Sequence, residues 1–351
     1  MIKSIDITNI DEWNNIVKSF NGWDIYYTNE YAKSLMIHGD GIPQLLYWEN
    51  GAKRICDVII IEDVENSIRF KDKLKEGMYL DATTPYGYGG PLSDGVLSSV
   101  EMQLFLFELN EKLKEENIVS QFVRFHPLIG LQRDFYNAFN AVTFKETVFI
   151  DTTDKKSIWE NMESSNRNMI RKAIKSGVTI KHDKGENIDT FIDIYNSTMD
   201  GHNAEGYYYF EKKYYEFLIE NMKDNIEFFY SYLDGKIIGT SIFFFNDEYM
   251  HYHLSGVYKE YKKYASTNLL LYEAANWANE HGIKKLHLGG GLNKGDSLFK
   301  FKKKFNKHGI VPFYVGCMIC DKVKYKELLD VRKKFDSTFD INNNYLIQYR
   351  K

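Results

Sequence analysis

Short apolar segments separated by polar turns alternate with amphipathic segments along the chain, a pattern that predicts a mixed α/β protein. The first half contains a predicted β-hairpin, a strand, a glycine-rich turn, a helix and a closing strand. These elements occupy residues 45–48 with 54–61, 78–81, 86–92, 97–116 and 121–125. Asn50-Gly51 marks the hairpin turn. The helix is predicted from apolar residues at helical spacing, namely Val100, Leu104 and Phe107 beside Leu106, Leu109 and Leu113.

The second half repeats this order of elements. Its hairpin, strand, helix and closing strand are predicted at residues 227–233 with 236–245, 249–254, 265–281 and 285–288. Leu270, Ala274 and Trp277 form one apolar stripe of the helix. A strand–helix–strand crossover requires parallel pairing, so each half is expected to contain a mixed sheet.

Residues 151–154 are polar and follow the predicted strand 147–150, so we place a domain boundary there. The predicted domains are residues 1–151 and 152–351, and the last segment is allowed to pack back on the first domain. The length of 351 residues agrees with about two domains. The predicted fold class is α/β (α+β), with two similar domains of mixed sheets flanked by helices and a ligand cleft between them.

Composition limits the classes of function. The chain is 44% hydrophobic and 27% charged, which fits a folded protein with a real core. Its net charge of −4 argues against a general binder of polyanions such as DNA, but residues 257–308 hold 11 Lys and Arg against 4 Asp and Glu, a local balance of +7. The longest apolar segment, 237–245, is far shorter than the ~20 residues of a membrane span. No secretory signal is recognisable, and we expect a cytoplasmic protein.

Cysteine and histidine offer limited evidence for a metal. Cys317 and Cys320 form a C-x-x-C within an apolar strand, but no second cysteine pair completes a zinc site, so we interpret both as core thiols. His251, His253 and Ser255 occupy alternate positions of a predicted strand and are therefore expected to share one face of it, near His287 on another strand. We expect half-buried histidines, or one that lines a substrate cleft, and no metal.

The block SLFKFKKKFNKHG (297–309) is the most distinctive basic segment. Phe301 and Phe305 are predicted to share an inward face of a helix while the lysines face outward. Gly289, Gly290 and Gly291 lie a few residues upstream, where a ligand is able to approach the backbone closely. This arrangement favours phosphate or nucleic-acid backbone contact; the alternative is a solvated lysine face.

A second cationic stripe is predicted on a helix. Arg167, Arg171 and Lys175 are spaced four residues apart. Such a stripe is able to hold a diphosphate through bidentate arginine contacts. An exposed stripe stabilised only by solvent is the alternative.

Several of these segments together resemble the Fem-type branch of the GNAT acyltransferase superfamily and its shorter acetyltransferase-like relatives. They are YGYGGPL (86–92), NRNMIRKAIKSGV (166–178), YMHYHLSG (249–256), LHLGGG (286–291) and FKFKKKF (299–305). The resemblance implies two tandem GNAT-like domains and transfer of an acyl or aminoacyl group to an amine. In the Fem transferases the donor is aminoacyl-tRNA and the acceptor is a cell-wall precursor with a diphosphate.

The resemblance also implies site residues. The Fem segment F-K-x-x-F matches residues 301–305, so Lys302 inherits the donor-site role, and TNEYAKSL (28–35) makes Lys33 the acceptor-phosphate candidate. We therefore assign catalysis to Lys302 and His253. Donor binding is assigned to Phe301, Lys303, Gly289, Gly290 and Gly291, and acceptor binding to Lys33, Arg167, Arg171, Tyr86, Gly89 and Gly90.

The chain departs from ordinary GNAT enzymes at the turn that binds the CoA pyrophosphate. Residues 262–267 read KKYAST, so both glycines of the family's turn are replaced. The added β-carbons are expected to crowd the cradle. Charged tRNA is thus the favoured donor and acyl-CoA the alternative, each as a co-substrate with no tightly bound cofactor. The acceptor is expected to be a small or lipid-linked envelope precursor. A third hypothesis is an inactive RNA or nucleotide-sugar binding module.

Overall fold

The computed structural model describes all 351 residues. The strands are β1 (Lys3–Asp6), β2 (Ile42–Asn50), β3 (Lys53–Asp63), β4 (Leu80–Thr83), β5 (Leu92–Asp94), β6 (Ile118–Arg124), β7 (Val142–Asp151), β8 (Thr179–Asp183), β9 (Ile226–Leu233), β10 (Lys236–Phe245), β11 (Tyr249–Val257), β12 (Lys285–Gly289) and β13 (Ile310–Ile319). The α-helices are α1 (Ile10–Lys18), α2 (Asn29–His38), α3 (Ser99–Glu115), α4 (Arg133–Ala138), α5 (Lys155–Glu160), α6 (Ser164–Lys175), α7 (Ile188–Asp200), α8 (Lys212–Asn221), α9 (Ser266–Glu280), α10 (Ser297–Lys303) and α11 (Lys322–Phe335).

The chain divides into two compact units. Unit 1 comprises Met1–Phe144 and Phe313–Lys351, and unit 2 comprises Lys145–Pro312. The predicted boundary after Asp151 lies at the end of β7. The C-terminal segment with α11, which the prediction placed in the second domain with the option of packing on the first, lies in unit 1. No helix has the length and apolar character needed to cross a membrane.

The sheet of unit 1 has the strand order β1-β2-β3-β4-β6-β13, and β5 adds to β3. All of its pairs are antiparallel except β4 with β6, which are parallel. Helix α3 lies between those two strands in the chain, so the predicted crossover is confirmed. The N-terminus of α3 has a capping box, in which the Ser98 hydroxyl accepts from the Glu101 amide and the Glu101 carboxylate accepts from the Ser98 amide.

Only part of the apolar pattern that predicted α3 is buried. Leu109 and Leu113 lie in the core of unit 1 together with Phe105, whereas Val100 and Phe107 are 75% and 65% exposed. The helix carries large apolar residues on both faces, so helical spacing identified the element but not its orientation.

The cysteines of the C-x-x-C lie in separate clusters of unit 1. Cys317 packs with residues around α11, and Cys320 packs with residues around α3 and β6. Both thiols are free and buried, and burial raises their pKa values, Cys317 to about 12. This geometry matches the interpretation of two core thiols.

Unit 1 also contains a buried acid–amide pair. Asp57 on β3 and Gln121 on β6 are 2% and 0% exposed, and the Gln121 Nε2 donates to the Asp57 Oδ2 at 2.7 Å. The other oxygens of the pair, Asp57 Oδ1 and Gln121 Oε1, are buried without a hydrogen bond. Burial raises the pKa of the Asp57 carboxyl to about 7, against the opposing effect of the Gln121 hydrogen bond.

The sheet of unit 2 has the order β7-β12-β11-β10-β9-β8. Here β11 and β12 are parallel, on either side of α9 in the chain, and the other pairs are antiparallel. The predicted stripe of α9 is buried in this core, with Leu270 1%, Ala274 0% and Trp277 8% exposed. The predicted mixed α/β class is therefore confirmed.

Candidate functional site

The basic block forms the short helix α10, and one of its lysines points into unit 2. Asp296 begins the helix, and its Oδ1 accepts a hydrogen bond from the Phe299 amide at 2.8 Å. Phe305 is fully buried, as predicted, but the prediction that the lysines face outward is wrong for Lys302, which is 8% exposed. Lys302 lies on the same buried face of α10 as Phe299, so this face includes a lysine as well as phenylalanines.

The Lys302 amine lies near the ends of two strands of unit 2. Its Nζ donates to the Gly290 carbonyl oxygen at 2.8 Å and lies 5.6 Å from the centre of the Tyr252 ring on β11. It forms no ion pair. Burial, and then the positive charge of Lys145, lower the pKa of Lys302 to about 7, although Asp296 opposes the shift. Lys303 is exposed, and Phe301 is partly buried against the core.

The glycines after β12 bring backbone close to other groups of unit 2. Gly289 has φ +71°, a left-handed conformation that favours glycine. A β-carbon on Gly290 would lie 2.7 Å from the Glu146 carbonyl oxygen on β7, and one on Gly291 would lie 2.0 Å from the Asp296 Oδ1. These two glycines therefore permit close protein packing beside Lys302.

Lys145 on β7 is a residue that the sequence analysis missed. Its Nζ donates to the Gly291 carbonyl oxygen at 2.7 Å, next to the carbonyl that Lys302 binds. Burial lowers its pKa as well, opposed by Asp296. A single lysine in a strand, 146 residues before its partner in the chain, carries no local signal of this contact.

His253 lies at a bulge of β11. The pairing of β10 with β11 changes register there, because Ile242 pairs with Leu254 and Phe243 pairs with Tyr252. The predicted sharing of one face by His253 and Ser255 is therefore wrong, and the Ser255 hydroxyl instead accepts a hydrogen bond from the Tyr252 hydroxyl at 2.6 Å.

The surroundings of the His253 ring are apolar and aromatic. Its Nε2 lies 3.2 Å from the Tyr214 hydroxyl, and its ring centre lies 4.5 Å from that of Phe244. Burial, and then the charge of His251, lower the pKa of His253 to about 3, so its ring is neutral at physiological pH. His251 and His287, at paired positions of β11 and β12, meet edge to face with 5.5 Å between ring centres.

The arginines of α6 make contacts around the turn between α5 and α6. The Arg167 guanidinium donates to the carbonyl oxygens of Met162 and, at 3.3 Å, Trp159. The Arg171 guanidinium lies 5.2 Å from the centre of the Trp159 ring. The Glu163 amide, where α6 begins, donates to the Lys304 carbonyl oxygen at 2.9 Å, which places α6 beside the end of α10.

The remaining acceptor candidates lie in unit 1. Tyr31, two residues before Lys33 on α2, donates its hydroxyl to the Tyr86 carbonyl oxygen at 2.6 Å, so α2 and the YGYGGPL segment are in contact. The Gly89 amide donates to the Arg124 carbonyl oxygen at 2.8 Å. Gly90 has φ +93°, and a β-carbon at this position would lie only 3.0 Å from the Val123 side chain. The structure thus groups Lys33, Tyr86, Gly89 and Gly90 in unit 1, and the donor candidates in unit 2.

Comparison with known protein families finds a match within unit 2. Residues 164–303, which include α9, the glycines and all of α10, match the family model of the GNAT acetyltransferase domain. This part of the chain is thus similar to a GNAT acetyltransferase domain. No curated protein shows significant sequence similarity to it.

Solved structures extend the likeness to nearly the whole chain. The structure of FemX has a TM-score of 0.68 and 14% sequence identity, over 93% of this chain and 99% of FemX. A conserved protein of unknown function from Bacteroides thetaiotaomicron has a TM-score of 0.59 and 14% identity, over 90% and 99% of the two chains. The C-terminal domain of a putative lysylphosphatidylglycerol synthetase from Agrobacterium fabrum has a TM-score of 0.55 and 13% identity, over 95% and 96%. The chain therefore has the fold of FemX, as the resemblance to Fem-type proteins implied, and residues 164–303 are similar to the GNAT acetyltransferase domain.

Proposed function

We propose that the protein is an N-acyltransferase that moves an aminoacyl group from charged tRNA to an amine of a cell-envelope precursor in the cytoplasm. The observation that carries this proposal is the buried Lys302. Its amine has a single hydrogen bond, to the Gly290 carbonyl, and forms no ion pair with a carboxylate. A lysine with free N–H donors at this point is suited to an anionic group or a developing oxyanion.

The start of α9 supports tRNA over CoA as the donor. Ala265 occupies a left-handed conformation with φ +55° at the turn where ordinary GNAT enzymes carry glycine, so its β-carbon remains in the cradle. Acyl-CoA is the second candidate donor, and one observation favours it. Helix α9 begins without a side-chain cap, which leaves backbone amides to meet a phosphate.

In the proposed reaction the acceptor amine attacks the carbonyl carbon of the aminoacyl ester. The C–N bond forms, the C–O bond to the ribose breaks, and Lys302 with nearby backbone amides stabilises the negative charge on the carbonyl oxygen. Acceptor binding is assigned to Lys33, Arg167 and Arg171, with backbone approach at Gly89 and Gly90. His253, neutral at physiological pH, is a hydrogen-bonding residue of the site.

The test offers the full-length protein two donors in separate reactions, charged tRNA and acetyl-CoA. Each reaction contains a mixture of nucleotide-linked and lipid-linked envelope precursors, and mass spectrometry measures the mass added to each precursor. We expect an aminoacyl mass from charged tRNA, loss of transfer in Lys302→Ala, and retention in Lys300→Ala, an exposed lysine of the same helix. Efficient acetyl transfer would replace tRNA by CoA as donor, and binding without turnover would leave only the binding-module hypothesis.

A further inference from the structure

Two lysine amines of unit 2 hold successive carbonyl groups of one glycine turn. Lys302 Nζ binds the Gly290 carbonyl oxygen at 2.8 Å, and Lys145 Nζ binds the Gly291 carbonyl oxygen at 2.7 Å. The two side chains come from different elements, α10 and β7. Their charges repel each other strongly enough to lower the pKa of Lys302 beyond the effect of burial.

The groups that face Lys302 leave its positive charge poorly compensated. Asp296 is the acidic group beside it, but its Oδ1 accepts from the Phe299 amide at 2.8 Å and its Oδ2 from the Asn293 amide at 2.9 Å. From β11 the Tyr252 ring faces the amine at 5.6 Å, and from β7 only the Lys145 cation adds charge. Because burial and the Lys145 charge lower the pKa of Lys302 to about 7, a substantial fraction of its amines is uncharged at neutral pH.

The proposed reaction needs a group that removes a proton from the acceptor ammonium. His253 is poorly suited, because a pKa of about 3 makes it a weak base toward an amine. A lysine that titrates near neutrality combines basicity with a substantial uncharged fraction.

Resting on the proposed function, we propose that Lys302 accepts the proton of the attacking amine and that Lys145 is the positioning residue that keeps Lys302 able to do so. The acceptor –NH3⁺ passes one proton to the Lys302 –NH2 and then attacks the ester carbonyl carbon. The new Lys302 –NH3⁺ stabilises the oxyanion and returns the proton to the leaving ribose oxygen as the C–O bond breaks. The nitrogen of the new amide loses its extra proton to water, so Lys302 ends the cycle uncharged.

The first test measures Lys302 directly and needs no acyl transfer. The Cε signal of Lys302 in the full-length, 13C-lysine-labelled protein is followed by NMR from pH 5 to 11, and is assigned by its absence in Lys302→Met. We expect a midpoint near neutrality in the wild type, a higher midpoint in Lys145→Met, and recovery of the low midpoint in Lys145→Arg, which restores the charge. Lys300→Met is the matched control with no change. A wild-type midpoint near the ordinary ~10.4 overturns the proposal even if Lys145→Met does not fold.

The second test follows the rate of transfer against pH. If Lys145→Met raises the titration midpoint of Lys302 by one pH unit, the acid limb of the pH–rate profile should shift by one pH unit as well. Transfer at pH 6 should then be about tenfold slower than in the wild type, and it should recover at alkaline pH. Lys302→Arg, which stays charged, should lose transfer. Full transfer by Lys302→Arg, or an acid limb that does not move with the midpoint, overturns proton acceptance. No transfer from any donor overturns the proposed function, and with it the proton transfer, while the NMR midpoints still decide whether Lys145 sets the charge of Lys302.

Discussion

Replacing Asp57 by asparagine is expected to stabilise unit 1 at neutral and alkaline pH. The Asp57 Oδ1 and the Gln121 Oε1 are both buried without a hydrogen bond, while the Gln121 Nε2 donates to the Asp57 Oδ2 at 2.7 Å. An asparagine keeps the acceptor for that bond and replaces the unpaired Asp57 Oδ1 by an amide NH2 group. The substitution therefore removes a buried charge and one unsatisfied acceptor.

The magnitude and sign follow from the raised pKa of Asp57. Its carboxyl titrates at about 7 in the folded protein and at ~3.9 in an unfolded chain. Between these values the folded state keeps a proton that the unfolded state has lost, so stability falls as pH rises, by ~1.4 kcal/mol per pH unit. Over the interval of about three units the loss reaches ~4 kcal/mol, and it is complete above pH 7.

The assay is urea unfolding of the wild type and Asp57→Asn at pH 4, 5.5 and 8. The difference between the two proteins at each pH cancels the titration of other groups. We expect a small difference at pH 4 and a gain in Asp57→Asn at pH 8 that approaches ~4 kcal/mol. Asp330→Asn, at an exposed aspartate of the same unit, should show no such trend. An Asp57→Asn protein less stable than the wild type at pH 8, or a difference independent of pH, would refute the reasoning.

Three further predictions concern unit 2. Gly291→Ala places a β-carbon 2.0 Å from the Asp296 Oδ1, so it should weaken the cap of α10 and lower stability by ~1–2 kcal/mol in thermal unfolding. Gly206→Ala, with open space around it, is the neutral control. Equal melting temperatures of the two variants would contradict this prediction. Lys302→Met should abolish transfer yet raise the free energy of unfolding below pH 7 by up to ~4 kcal/mol. The reason is that the pKa of Lys302 is about 7 in the folded protein and ~10.4 in the unfolded chain, so burying the charged amine destabilises the wild type at low pH. The gain should vanish as the pH rises toward 10. A loss of stability at pH 7 in urea unfolding would count against the buried cation. Ala265→Gly should gain up to ~1 kcal/mol by relieving the left-handed conformation, and a variant that also binds CoA in calorimetry would identify the β-carbon as the block.

The hydrophobic pattern predicts most of the elements and both strand–helix–strand crossovers. Residues 236–245 were predicted as a strand with the bounds that β10 has, and the predicted helix 265–281 differs from α9 by one residue at each end. Such segments are readable because the period of apolar residues reports local backbone geometry. The resemblance of FKFKKKF to a Fem-type segment also singles out Lys302 among the lysines of this block.

Which faces are buried and which distant groups meet depends on how the elements pack in the folded protein. Helix α3 is apolar on two sides, so only packing could select Phe105 over Phe107. The bulge at His253 shifts a register that strict alternation assumes. Lys145 meets the glycine turn 146 residues later in the chain, and this contact helps to set the charge of Lys302. Local sequence encodes local periodicity, whereas burial and charge repulsion depend on groups that folding alone brings together.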